Sequence, residues 1–291
     1  MSIEVWVAII IPTVVFAVGV LINWCITKRN KHRELKLYKN LIESWTESAS
    51  KNIDRQIKSL RQFGENVKHN DKMNFPRYEQ YMIHFTRLNS LPIEKIAEVF
   101  MENIDDKGKK SPEMMYDYLS AIEYIMEMQK RISKYFDQYV LESEQIREEW
   151  HKNFKNFTEA LYSRGRHPKW AQETDDNKRF YKEIGVRLSG MIQIPKDENN
   201  EIGMSVWGRE FISPTLEYFR SPNASWESEI FLNISNQFKE PYLSYRHWEN
   251  NRRSGDTFIE MSEDIKTMRD TLQTSLDYFK THNLKRWYLI S

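Results

Sequence analysis

Residues Val5–Ile26 read VWVAIIIPTVVFAVGVLINWCI, without a charged side chain, and the basic stretch TKRNKHRELK follows at once. A helix over this run reaches about 33 Å at ~1.5 Å per residue, enough for a hydrocarbon core of ~30 Å. It has no polar face to turn to water. Such a segment crosses a membrane, is cleaved as a signal peptide, or is buried in a protein core. Trp6 and Trp24 stand near its two ends, about 27 Å apart on a helix. Indoles favour the headgroup boundary at both surfaces. Pro12 is the one helix-breaking residue, and membrane helices tolerate it.

A signal peptide needs a basic leading region, an apolar core of about 7–15 residues and a small-x-small cleavage site. None is present, and bulky Trp24 before Cys25 makes a poor lipoprotein site. The flanks also argue against a buried soluble helix. The run is therefore expected to be a retained transmembrane anchor. Only Glu4 precedes it, whereas Lys28, Arg29, Lys31, Arg33 and Lys36 follow it against the single acid Glu34. The positive-inside rule then places residues 1–4 outside, 5–26 in the plasma membrane, and the rest in the cytoplasm. The first partner is the lipid bilayer. The basic block also suits anionic headgroups, at ~1 kcal/mol per residue near the surface.

Composition limits the remainder. The net charge is +1, so no global field attracts nucleic acid. Aromatics make up 13% of the chain, which argues against disorder. Nine glycines and nine prolines are few for this length and favour long helices over a sandwich or barrel. The single cysteine, Cys25, lies in the apolar run, so the rest of the chain holds no disulfide, thiol nucleophile or thiolate metal site. That fits a reducing cytoplasm.

The expected fold is mainly α: the transmembrane helix, a long-helix lobe over 27–163 and a second mostly helical lobe over 164–291. From Leu35 to Val67 apolar residues recur at steps of three and four. Leu35, Ile42, Trp45, Ala49, Ile53, Ile57, Leu60, Phe63 and Val67 mark the stripe. Its stutter at 45, 49, 53 and 57 breaks a strict heptad. The stripe suits an amphipathic helix packed on its own domain, with a membrane-proximal coiled coil joining two copies as the alternative. Short helices are expected over 77–89 and 93–104. Ser111-Pro112-Glu113 then starts a long helix that carries Met115, Tyr118, Ile122 and Ile125 and runs on to Leu161. Its length suits an antiparallel hairpin with 28–68. Residues 175–192 read as a helix, but Val186, Leu188, Gly190, Ile192 and Ile194 alternate as a strand would. A small β-hairpin near 186–207 is the alternative. Ser225 and Asp256 are the expected caps of two further helices, and the apolar tail LKRWYLIS is expected to dock.

No phosphate-binding or dinucleotide glycine motif, nucleophile elbow or zincin helix occurs. Glu148-x-x-His151 has the spacing of one half of a di-iron ligand set, but its second half is missing. No catalytic residue, cofactor or metal ligand is assigned. Two basic–aromatic clusters remain. Tyr245-Arg246-His247-Trp248 with Arg252-Arg253 is the denser, and Arg164-Gly165-Arg166-His167 is the other. Guanidinium groups beside aromatics suit phosphate contact with base stacking. The plainer reading is a solvated face over core rings, so nucleic acid is a possible partner but not the favoured one.

The low-breaker composition and single-span layout look bacterial. The layout is similar in outline to membrane-tethered phage-defence proteins, an analogy of architecture alone. The expected function is protein–protein interaction at the inner membrane face, in stress response or phage defence, with a protein partner or a second copy engaged through 28–68. A nucleotide- or nucleic-acid-responsive effector and an enzyme of unrecognised class are the alternatives.

Overall fold

A computed structural model describes every residue except 1–2, 74, 84, 86–90, 102–109, 195–201 and 282–291. Among the described residues 86% are helical and none lies in a strand. The long elements are α1 (Ile3–His69), α2 (Ile93–Met101), α3 (Lys110–Ser163) and α4 (Asp175–Gln193). They are followed by α5 (Met204–Trp207), a π-helical turn (Gly208–Ile212), α6 (Ser213–Phe219), α7 (Glu229–Asn251) and α8 (Ser254–Thr281). Two compact units form. The first comprises Met1–Ile57, Tyr81–Gln129 and Asp264–Ser291, and the second Lys58–Gln80 and Lys130–Glu263. Helices α1, α3 and α8 contribute residues to both.

In the first unit, α1 changes character along its length. Its apolar start has a window of mean hydropathy 2.1 of which no part is buried. From Leu35 onward one stripe, Leu35, Ile42, Thr46, Ala49 and Ile53, is buried, with the helical spacing that puts these side chains on one face. The core is completed by Val99 and Phe100 of α2, Tyr118, Ile122 and Ile125 of α3, and Ile265, Leu272 and Phe279 of α8. A buried hydroxyl pair in it is satisfied. Thr46 Oγ1 donates to Ile42 O at 2.6 Å, so Tyr118 Oη donates to Thr46 Oγ1 at 2.7 Å. The stripe from Leu35 to Ile53 is thus covered by the protein's own helices.

Helix directions correct one expectation. Glu47 pairs with Lys280 and Asp54 with Arg269, so α1 and α8 run antiparallel. Tyr118 bonds Thr46, while Tyr124 bonds Asp264 farther along. Helix α3 is therefore parallel to α1, and the antiparallel partner of α1 is α8. The connection explains how. Residues 77–83, expected to be helical, form no helix. Gln56 Oε1 accepts from Tyr81 N at 2.7 Å, and Asn52 Nδ2 donates to Met82 O at 3.5 Å. By Lys95 the chain has returned to the level of Glu34, with which Lys95 pairs at 3.2 Å. Side chains of α1 bond backbone groups that a helix would have paired internally. Residues 84 and 86–89 of the expected 77–89 helix, the loop after Met101 and the tail from His282 lie outside the described residues.

The second unit has an aromatic core. Trp150, Phe157, Phe180, Tyr181, Phe211, Phe219, Phe231, Phe238 and Trp248 are buried together. Phe63 of α1 lies within 6 Å of the rings of Tyr78, Phe136, Tyr139 and Phe258, edge-on to three of them. Gly64 of α1 meets Gly255 of α8 so closely that a Cβ on Gly64 would stand 2.6 Å from Gly255 O. The hairpin alternative near 186–207 is not seen. Residues 186–193 continue α4 and 204–207 form α5, while 195–201 lie outside the described residues. Strand alternation would put Val186 and Leu188 on one face, yet Val186 is 64% exposed and Leu188 6%. The helical set Phe180, Tyr181, Ile184, Leu188 and Met191 is buried instead. Thr174 starts the helix as an N-cap, its side chain accepting from Asn177 N. Helix α7 is capped by Ser228 rather than Ser225 and runs through Pro241, and α8 starts at Ser254, before Asp256.

Candidate functional site

The end of α1 meets the end of α7 and the start of α8 in the second unit. A recess of about 310 Å3 opens there, lined by Lys68, Arg246, Glu249, Asn250, Arg252, Arg253 and Asp256. Arg252 anchors it. Its Nε donates to Lys68 O at 2.9 Å and its Nη2 donates to the same oxygen. A cation is thereby placed on the carbonyl end of α1, where the helix dipole favours one. The guanidinium also lies 5.1 Å from the Trp248 ring centroid. Lys68 Nζ pairs with Asp256 at 2.9 Å, and this bond holds the ammonium above its ordinary pKa. Arg246 pairs with Glu249 at 2.7 Å, three residues along the same helix. Arg253 is exposed, and its side chain has no ion-pair or hydrogen-bond partner among the described residues.

The denser sequence cluster is thus partly assembled. Arg246, Arg252 and Arg253 share the recess. Nothing near them in sequence points to Lys68, which the fold adds from 178 residues away. His247 faces elsewhere, into a hollow of about 450 Å3 with Glu142, Gln145 and Glu149. The loop cluster does not line the recess. Arg164 donates through Nη1 to Leu161 O, and its guanidinium lies 5.8 Å from the Tyr181 ring centroid. His167 Nδ1 accepts from Lys169 N at 3.2 Å, and Arg166 is exposed. Glu148 and His151 are both exposed, and no three His, Cys, Asp or Glu side chains converge among the described residues.

A second polar centre carries no sequence signal. Glu173, only 6% exposed, accepts from Thr174 N at 3.0 Å, Asn177 Nδ2 at 2.9 Å, Tyr181 Oη at 3.2 Å and Ser228 Oγ. Burial by itself would raise its pKa. The bonds from Ser228, Asn177, Thr174 and Tyr181 outweigh burial and hold the carboxyl below its ordinary value. Thr174 and Ser228 are the N-caps of α4 and α7. One carboxylate thus ties together two helix N-termini, where a negative charge is stabilised. With every donor aimed at a protein oxygen, this centre reads as a structural clip.

On the apolar start of α1, Trp6 and Trp24 are exposed and the helix continues through Pro12. Lys28 Nζ lies 4.4 Å from the Trp24 ring centroid, and Lys31 pairs with Glu98 at 3.9 Å. Arg29 and Arg33 are exposed. Comparison with protein-family models, with curated proteins and with solved structures gives no match.

Proposed function

We propose that the chain is a single-span membrane protein, N-terminus outside, which holds a helical binding domain at the cytoplasmic face of the plasma membrane. One observation carries this reading. The apolar window of α1 is entirely unburied, while the same helix from Leu35 onward is packed into the protein. An unburied surface of that size is costly in water and favourable in lipid. The basic residues at 28, 29, 31 and 33 support the orientation. Leu37 and Leu41 support a partner surface: they lie one turn apart on α1, 64% and 37% exposed. The proposed occupant is a protein partner or a second copy, in bacterial stress response or phage defence. The test is alkaline extraction of membranes, combined with photocrosslinking from position 37. The full chain is expected in the pellet, with an adduct lost on Leu41→Glu. Release into the supernatant would overturn the anchor, and absence of any adduct would overturn the partner surface.

A further inference from the structure

We propose that the recess at the end of α1 binds a phosphate dianion carried by a small soluble molecule. This inference goes beyond the anchor reading and does not depend on it. Four cations, Lys68, Arg246, Arg252 and Arg253, line the recess against two carboxylates, Glu249 and Asp256. The excess of two positive charges matches a phosphate monoester near neutral pH. Two of the cations are committed to carboxylates, but those pairs are at the surface. The Lys68 and Asp256 side chains are 38% and 58% exposed, and those of Arg246 and Glu249 are 50% and 36% exposed. Exposed pairs hold weakly. A phosphate oxygen offers either cation a charge-assisted bond of the strong kind.

Arg252 is already fixed. Its Nε and Nη2 both donate to one carbonyl, and Trp248 supports the plane. The guanidinium is therefore ordered before a ligand arrives, with its Nε–Nη2 edge on the carbonyl and Nη1 left to meet a phosphate oxygen. Arg253, without a side-chain partner among the described residues, supplies the second guanidinium. The volume is at the small end for ligand sites and fits a phosphate with a sugar-sized group. The lining also selects against single-stranded nucleic acid. Among the described residues it contains no aromatic side chain, and Trp248 is nearly buried and covered by Arg252. Stacking platforms for bases are absent from the lining.

The same chemistry occurs on a lipid headgroup, so the test has separate arms. The full chain in detergent is titrated calorimetrically at low salt with inorganic phosphate and pyrophosphate. Parallel arms use phosphatidic acid vesicles and a single-stranded oligoribonucleotide. Phosphate and pyrophosphate are expected to bind at one site. Arg246→Ala with Arg253→Ala should weaken pyrophosphate at least ~10-fold, and Glu249→Gln, which removes a competing acid, should tighten it about 3-fold. The second variant keeps the test decisive if the first does not fold. No heat with phosphate and pyrophosphate at millimolar concentration overturns the proposal, as does an affinity that neither variant moves. Binding to vesicles alone assigns the cations to lipid and also overturns it. Oligonucleotide binding that grows with length and resists pyrophosphate does so in favour of nucleic acid.

Discussion

Phe16 and Phe63 lie on the same helix, yet Phe16 is 74% exposed and Phe63 1%. The difference does not lie in the residue or the backbone. Around Phe16 every face of the helix is apolar. Around Phe63 the apolar residues form one stripe, with Arg61, Gln62 and Glu65 beside it. A stripe can be covered by neighbouring helices while its polar flanks stay wet. A helix apolar on all sides is covered either by a protein core or by lipid. One unbroken element thus holds two segments that answer to different surroundings, and substitutions should separate them.

Phe63→Ala should have the largest effect on the packed segment, about 3–5 kcal/mol of stability by urea unfolding. It removes a ring that touches four others. A loss under about 1 kcal/mol would mean that the second unit can close around the gap. Gly64→Ala should cost about 1–3 kcal/mol, because its Cβ meets backbone that cannot rotate away. Gly19→Ala, with nothing within 4 Å, should cost nothing measurable by the same assay.

Glu173→Gln should cost a comparable or smaller amount, about 1–3 kcal/mol, by weakening bonds that the charge strengthens. The folded carboxyl sits below its ordinary value of 4.5. Its contribution is therefore full above the unfolded value and lost as pH falls through the folded one. Urea midpoints from pH 7 down to 3 should fall in the unsubstituted protein and fall less steeply in Glu173→Gln. Parallel curves would exclude a structural charge at this position. Phe16→Ala, like Gly19→Ala, should have little effect, within about 0.5 kcal/mol for the folded domain.

The long helices were legible because their stripes are local and periodic. The apolar spacing from Phe180 to Met191 marked α4, and Met115 through Leu161 marked most of α3. The misses have a shared cause, which is partners distant in sequence. Tyr78, Tyr81, Met82 and Phe85 have helical spacing, but Gln56 and Asn52 bond this backbone where it forms no helix. Without that return path, α3 read as the antiparallel neighbour of α1. The alternation at Val186–Ile194 overlapped a helical set, and burial chose the helix. In the candidate site, Arg246, Arg252 and Arg253 stood out as a local cluster. Lys68 did not, because its place in the recess follows from where α1 ends. Glu173 reads as one more acid on a charged chain, since only the fold brings Ser228 to it. Gly64 and Gly255 each look like an isolated glycine until α1 and α8 are laid together.

The most direct measurement labels a single cysteine in intact cells with a membrane-impermeant maleimide. Cys25→Ser first removes the native thiol. Ser2→Cys should then react without permeabilisation, while Lys36→Cys should react only after it. Equal labelling of both positions in intact cells, or protection of both, would contradict a helix that crosses the membrane with its N-terminus outside.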